Sequence, residues 1–215
     1  MSFAARPIGL VKGGFVFDDV ITSDVTNYNL RARAVAAGWD QVVPLVATTT
    51  VNSGIVLSAD STGQYAFDTG VTFPAGTTLA LINNGFVIGM GGAGGAMYTA
   101  GSNGGPALRA QYAIGIDAAG GVIGGGGGGG GSNKGGGGGG RSGRTDAAGG
   151  TGAPNGANGT FSSGGSGGMG AGAGGDWGAS GGTAGSYAGG TGGAAVVGNS
   201  YITWINTGTR YGSIT

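Results

Sequence analysis

The sequence has no cysteine, no histidine and no glutamate. Disulfides and thiolate metal sites are therefore excluded, and so is any catalysis that relies on an imidazole. All nine acids are Asp, seven of the nine bases are Arg, and the net charge is zero. Glu is a good helix former whereas Asp favours turns and caps, so the chain reads as poor in helix. Nucleic-acid binding calls for a basic domain, and the neutral balance argues against it. Proline occurs five times without a G-X-Y period, which excludes a collagen triple helix. No apolar run approaches the ~20 residues of a membrane-spanning helix, and the N-terminus lacks a secretory apolar region.

What the chain has instead is glycine, 59 residues of 215. Eight fall within residues 1–84 and 51 within residues 85–215. Composition thus sets a glycine-rich remainder (85–215) apart, and local pattern divides what precedes it into an N-terminal arm or docking segment (1–24) and a region of one helix plus short β-strands (25–84). In the first, Phe15–Phe17 and Val20-Ile21 suit short strands or an extended arm. In the second, residues 25–38 predict a helix capped by Thr26 or Asn27. Gly38 takes the left-handed position at its end, and Trp39 packs back on the last turn. Val42-Val43, Val46–Val51, Ile55–Leu57, Tyr65–Phe67, Val71–Phe73 and Thr77–Ile82 predict strands, in the pattern of a small sandwich or of β-solenoid rungs.

The longest glycine runs are Gly124–Gly131 and Gly135–Gly140, separated by Ser132, Asn133 and Lys134. Such runs have no side chains to bury. Either they are flexible linkers, or they are polyproline-II-like helices of glycine packed backbone on backbone. Helices of that kind make no internal hydrogen bonds, so their N–H and C=O groups must find partners on neighbouring rods. Any Cβ would hold those rods apart. One rod alone cannot repay its ordering entropy of roughly 1–2 kcal/mol per residue, so many rods are needed. The sequence offers nine candidates: 89–95, 104–105, 120–131, 135–140, 149–152, 164–168, 170–175, 181–185 and 189–193. Aromatic and Met residues sit at the turns between them, whereas disordered segments are depleted in aromatics. The expected fold is mainly β plus polyglycine-II, with an N-terminal β-rich region and one short helix. A sandwich of packed polyglycine-II helices follows, closed by terminal strands.

Those strands are expected at Ala194–Val197, Tyr201–Ile205 and Thr209–Tyr211, pairing with Phe86–Ile88 and Val122-Ile123. A weak repeat supports the handover from strand to rod. GFVIG at Gly85–Gly89 aligns with GGVIG at Gly120–Gly124, 35 residues on.

The segments LINNGFVIGMGGAGG, GGPALR, AAGGVIGGGGGGGG and VVGNSYITWINTGTRYGSI, taken in order, resemble the glycine-rich receptor-binding tips of tailed bacteriophages. These include distal tail-fibre adhesins with a polyglycine-II sandwich and the glycine-rich ends of siphophage tail-tip proteins. YNLRARAVAAGWDQVVPLVATTTVNSGIVL resembles the segment that precedes the glycine region in such proteins. The resemblance spans roughly residues 27–215. It implies a virion protein of the distal tail that binds a bacterial outer-membrane protein or lipopolysaccharide through loops at one edge of a rigid slab. It also implies attachment to another tail protein, for which the N-terminal region is the candidate, either as one copy on a trimeric fibre or as a homotrimer. No cofactor is implied.

The candidate contact residues are Met97, Tyr98, Phe161, Met169, Trp177 and Tyr187, since aromatic and Met side chains are common interface anchors. Each serves either as an anchor or as ordinary packing that caps the slab. If successive rods alternate direction, only about half of these loops share one edge. Trp177→Ala is expected to leave folding intact and weaken adsorption. Lys134, Arg141 and Arg144 form a basic cluster at rod ends, suited to lipopolysaccharide phosphates or simply solvated.

Two rival functions are weaker. Enzymatic acid–base work would fall to Asp, Lys or Tyr, and the adjacent Asp18 and Asp19 point to opposite faces of any strand. Lys134 is followed by Gly135, so no GK[ST] phosphate loop is present. A purely structural virion protein would carry bland, repetitive loops, whereas these differ in length and chemistry.

Overall fold

A computed structural model describes residues 10–11 and 14–215; the start of the expected N-terminal arm, residues 1–9, 12 and 13, lies outside the described residues. β1 (Leu10–Val11) pairs antiparallel with β2 (Gly14–Ile21). From β2 the chain winds through three parallel sheets in a fixed cyclic order. The first sheet stacks β2, β5 (Leu45–Val51), β8 (Thr78–Asn83), β11 (Ile114–Asp117) and β14 (Ile202–Asn206). The second stacks β3 (Val25–Thr26), β6 (Val56–Ser58), β9 (Phe86–Ile88), β12 (Val122–Gly124) and β15 (Thr209–Tyr211). The third stacks β4 (Tyr28–Asn29), β7 (Phe67–Asp68), β10 (Leu108–Arg109) and β13 (Val196–Val197). Visiting three sheets in turn, one strand each, makes a β-solenoid; the sandwich alternative is not what forms.

Alternation sets which side chains fill it. Along β5, Leu45, Ala47, Thr49 and Val51 are buried while Val46, Thr48 and Thr50 are not, the period of two that a strand imposes. Stacked rungs align like residues in columns: Tyr28 and Phe67 stack with ring centroids 5.3 Å apart, and Leu108 and Val196 continue the third sheet's column in register.

Several expectations need correction. The helix is shorter than predicted: α1 runs from Leu30 to Ala36 and is capped by Asn29, whose side chain accepts the Ala32 N–H. Thr26 and Asn27 lie too far upstream to cap a helix that begins at Leu30. Trp39 does pack back, its N–H donating to the Ala34 carbonyl. Val42-Val43 and Val71–Phe73 are not strands. Gln41 and Thr72 beside them take positive φ (65° and 63°), which breaks an extended run. β10 and β11 were not foreseen. Of the closing strands, only β15 joins the sheet of β9 and β12; β13 and β14 close the other two.

Two excursions leave the solenoid at the same corner, between the second and third sheets. One runs from β9 to β10 and the other from β12 to β13. Their glycine segments bond to one another at every third residue. Gly89, Gly92 and Gly95 N–H donate to Gly124, Gly127 and Gly130 O, so the two excursions leave side by side and parallel. The offset is 35 residues, the spacing of the sequence repeat. Within the first excursion, Thr99, Ser102 and Gly105 N–H donate to Ala96, Ala93 and Met90 O, an antiparallel return with the same period.

Segment Gly124–Gly131 lies at the centre of this array. Residues 89–95 and 138–141 meet the first of every three positions, 172–178 and 179–182 the second, and 102–105 and 190–193 the third. Every N–H from Gly125 to Gly131 and every C=O from Gly124 to Gly131 is paired with another segment, as burial of backbone demands. None of Gly125–Gly131 is held at positive φ, so glycine is needed for space rather than for conformation. A Cβ on Gly126 would collide with the Met90 carbonyl oxygen, and one on Gly128 with that of Gly190.

Candidate functional site

Hydrogen-bond direction sorts the segments into outward and returning runs. The outward runs are 89–95, 124–131, 147–152, 164–168 and 179–184; the returning runs are 99–105, 135–140, 156–159, 171–175 and 187–193. The run 156–159 is one the glycine pattern did not mark, because Ala157 and Asn158 interrupt it. Turns therefore fall into two sets at opposite ends of the array.

Five turns form the far end: Ala96–Tyr98, Ser132–Lys134, Ala153–Asn155, Met169-Gly170 and Gly185-Ser186. They surround the central turn. Ser132 N–H donates to Thr99 O (2.9 Å), Gly135 N–H to Met169 O (2.9 Å) and Gly136 N–H to Pro154 O (2.9 Å), while Asn133 packs beside Gly185. Ser132 is buried and its hydroxyl donates to the Gly135 carbonyl, which pins this turn. Around it the side chains project to solvent. Met97, Tyr98 and Met169 are 47%, 53% and 67% exposed, and Lys134 and Asn155 are exposed. Tyr98 and the half-buried Tyr187 meet across two turns, ring centroids 6.1 Å apart. Tyr98 holds φ at +63°, an uncommon conformation for a bulky residue.

The other turns, Arg141–Asp146, Thr160–Ser163 and Asp176–Gly178, fold back on the outer side of the second sheet. Trp177 is buried there against Val56 and Ile88, with Phe86, Val122 and Phe161 packed around it. Its indole N–H donates to Ser142 O at 3.1 Å. Phe161 contacts the ring of Phe86 edge-on at 5.2 Å. Arg141 lies over Trp177, donates to Phe161 O (3.0 Å) and pairs with Asp176 (3.5 Å). Arg144 lies over Phe161 and pairs with Asp24 at 2.6 Å.

The nine candidate residues thus separate. Met97, Tyr98, Lys134, Met169 and Tyr187 share the far end. Arg141, Arg144, Phe161 and Trp177 form the junction between glycine array and solenoid. The expected basic cluster does not assemble, because Lys134 stands at the opposite end of its segment from Arg141 and Arg144. Asn133, Pro154 and Asn155 join the far end without having been singled out; a turn that follows an outward run is the signal that finds them.

The family described as phage tail fibre adhesin Gp38 matches residues 17–215. Among solved structures, the chain is similar to the gp37-gp38 adhesin tip complex of the bacteriophage S16 long tail fiber. The two share 28% identity at a TM-score of 0.74, over 94% of this chain and 83% of that one. A comparison with curated proteins returns no match.

Proposed function

The chain belongs to the phage tail fibre adhesin Gp38 family, and on that premise we propose that it is a binding protein of the distal tail that recognises a bacterial surface receptor through the five far-end turns. The convergence of those turns on Ser132–Lys134, at the end of the array remote from the solenoid, is the observation that carries this reading. Exposed Met and Tyr side chains on an ordered support suit recognition, since rigid aromatic anchors lose little conformational freedom on binding. A single cation, Lys134, among these turns favours an outer-membrane protein over the phosphates of lipopolysaccharide, which would call for a cluster of Arg or Lys.

The glycine segments are read as polyglycine-II helices. Their three-residue bonding period and freedom from positive φ support this, because polyproline-II geometry repeats every three residues. In such an array stiffness comes from backbone pairing, and the turns are free to carry recognition chemistry.

Attachment is assigned to the solenoid side, through the N-terminal region. The solved relative contains a second tail fibre protein, which supports such a partner here. The mass of the isolated tip assembly distinguishes one adhesin per fibre from three.

Exchanging the far-end turns for those of a relative with a different host tests the reading. Recognition predicts that host range follows the exchanged turns. Unchanged host range favours a structural virion protein without recognition.

A further inference from the structure

We infer that Met97 and Met169 are oxidation sites, and that their conversion to methionine sulfoxide switches off binding at the far end; this rests on the receptor contact proposed above. Among the described residues the thioethers differ sharply in access. Met97 and Met169 are 47% and 67% exposed, each at the crest of a turn. Met90 is half-buried within the array, its sulfur 3.3 Å from the hydroxyl of the buried Ser142. Oxidation follows exposure, so the two far-end residues react before Met90.

With hydrogen peroxide as oxidant, the sulfur lone pair attacks one peroxide oxygen. The S–O bond forms as the O–O bond breaks; sulfur is oxidised by two electrons and the second oxygen leaves as water. The product is polar and chiral where the thioether was apolar and flexible. Neither side chain belongs to a buried hydrophobic cluster. These turns are held through backbone groups, Met97 N–H donating to Thr151 O (3.0 Å) and Met169 O accepting from Gly135 N–H (2.9 Å). Both bonds survive the change. Loss of binding is thereby separated from loss of structure, and methionine sulfoxide reductases, which reverse the reaction, restore it.

The test uses phage particles carrying the wild-type chain or the Met97→Leu/Met169→Leu double variant, each treated with hydrogen peroxide. Adsorption is compared with the untreated particles of the same genotype, and peptide mass spectrometry follows each sulfur. The expected result is sulfoxide at Met97 and Met169 ahead of Met90, with wild-type adsorption falling about tenfold and recovering after treatment with both reductases. The double variant should keep its own untreated adsorption. Equal oxidation of Met90, or full sulfoxide at both turns with adsorption unchanged, overturns the inference. In that second case Tyr98→Ala separates the causes. If it slows adsorption about tenfold, the oxidation inference alone falls; if adsorption is unchanged, the far-end contact falls too.

Discussion

The guanidinium of Arg141 lies 3.6 Å from the centroid of the Trp177 indole, while that indole donates its N–H to Ser142 one residue along the same turn. Arg141–Ser142 and Trp177 belong to different turns of the glycine array, and Trp177 packs on Val56 and Ile88 of the solenoid. The pair therefore ties two turns of the array to the second sheet, and it is a junction rather than a contact surface.

Trp177→Ala should consequently do the reverse of what the sequence suggests. Removing a buried Trp from such a site costs about 3–5 kcal/mol. A marked fall in melting temperature is expected, with any loss of adsorption tracking the unfolded fraction. A variant that melts like wild type yet fails to adsorb would restore Trp177 to the receptor contact.

The array makes an equally sharp prediction about glycine. A Cβ at Gly128 meets the backbone of Gly190, which cannot rotate away, whereas one at Gly63 meets nothing within 4 Å. Gly128→Ala should therefore cost about 3 kcal/mol or more, as severe overpacking does, and Gly128→Val should abolish folding of the array. Gly63→Ala should fall within about 0.5 kcal/mol of wild type. Chemical denaturation of the three variants decides the matter; equal stability of Gly128→Ala and Gly63→Ala would dismiss backbone-on-backbone packing.

How far this could be read beforehand depended on how local each cause is. The β-branched run of Val46–Val51 announced β5, and the paired GFVIG and GGVIG segments announced strands that hand over to glycine runs; that these are neighbouring rungs whose excursions bond at the same 35-residue offset appears only in the structure. Val71–Phe73 looked alike but is broken by the backbone of Thr72, and Leu108–Arg109 is a strand only because β7 and β13 flank it. The division of candidate residues was hidden for a related reason. Whether Lys134 and Arg141 share an end depends on the direction of the run between them, which hydrogen-bond partners set and composition does not. Aromatic character likewise cannot distinguish Tyr98 in solvent from Trp177 in a core.

Substitution at the far end should spare the fold. Tyr98 is half exposed and its nearest ring neighbour is Tyr187. Tyr98→Ala should change stability by no more than about 0.5 kcal/mol while slowing adsorption at least about tenfold, as loss of an aromatic anchor does. Arg144→Ala should show the opposite profile, because it removes the pair with Asp24 and the packing on Phe161 without altering the far end. Parallel adsorption and melting curves would expose any exchange of these two roles.

Tyr28 should make the solenoid less stable at alkaline pH. Burial pushes its hydroxyl far above the ordinary tyrosine range, and the charge of Asp19, to which it donates at 3.0 Å, pushes in the same direction. Below about pH 10 the hydroxyl is neutral in both folded and unfolded chains, so its contribution to stability is complete. As pH rises past about 10 the unfolded chain releases the proton and the folded chain does not, so the unfolded state gains and stability falls. Tyr28→Phe cannot ionise. It should be less stable at neutral pH, where the bonds to Asp19 and Thr49 are missing, but should lose less on going from pH 9 to 11. Melting temperatures across that interval are expected to converge; parallel curves would show that Tyr28 ionises freely in the folded chain.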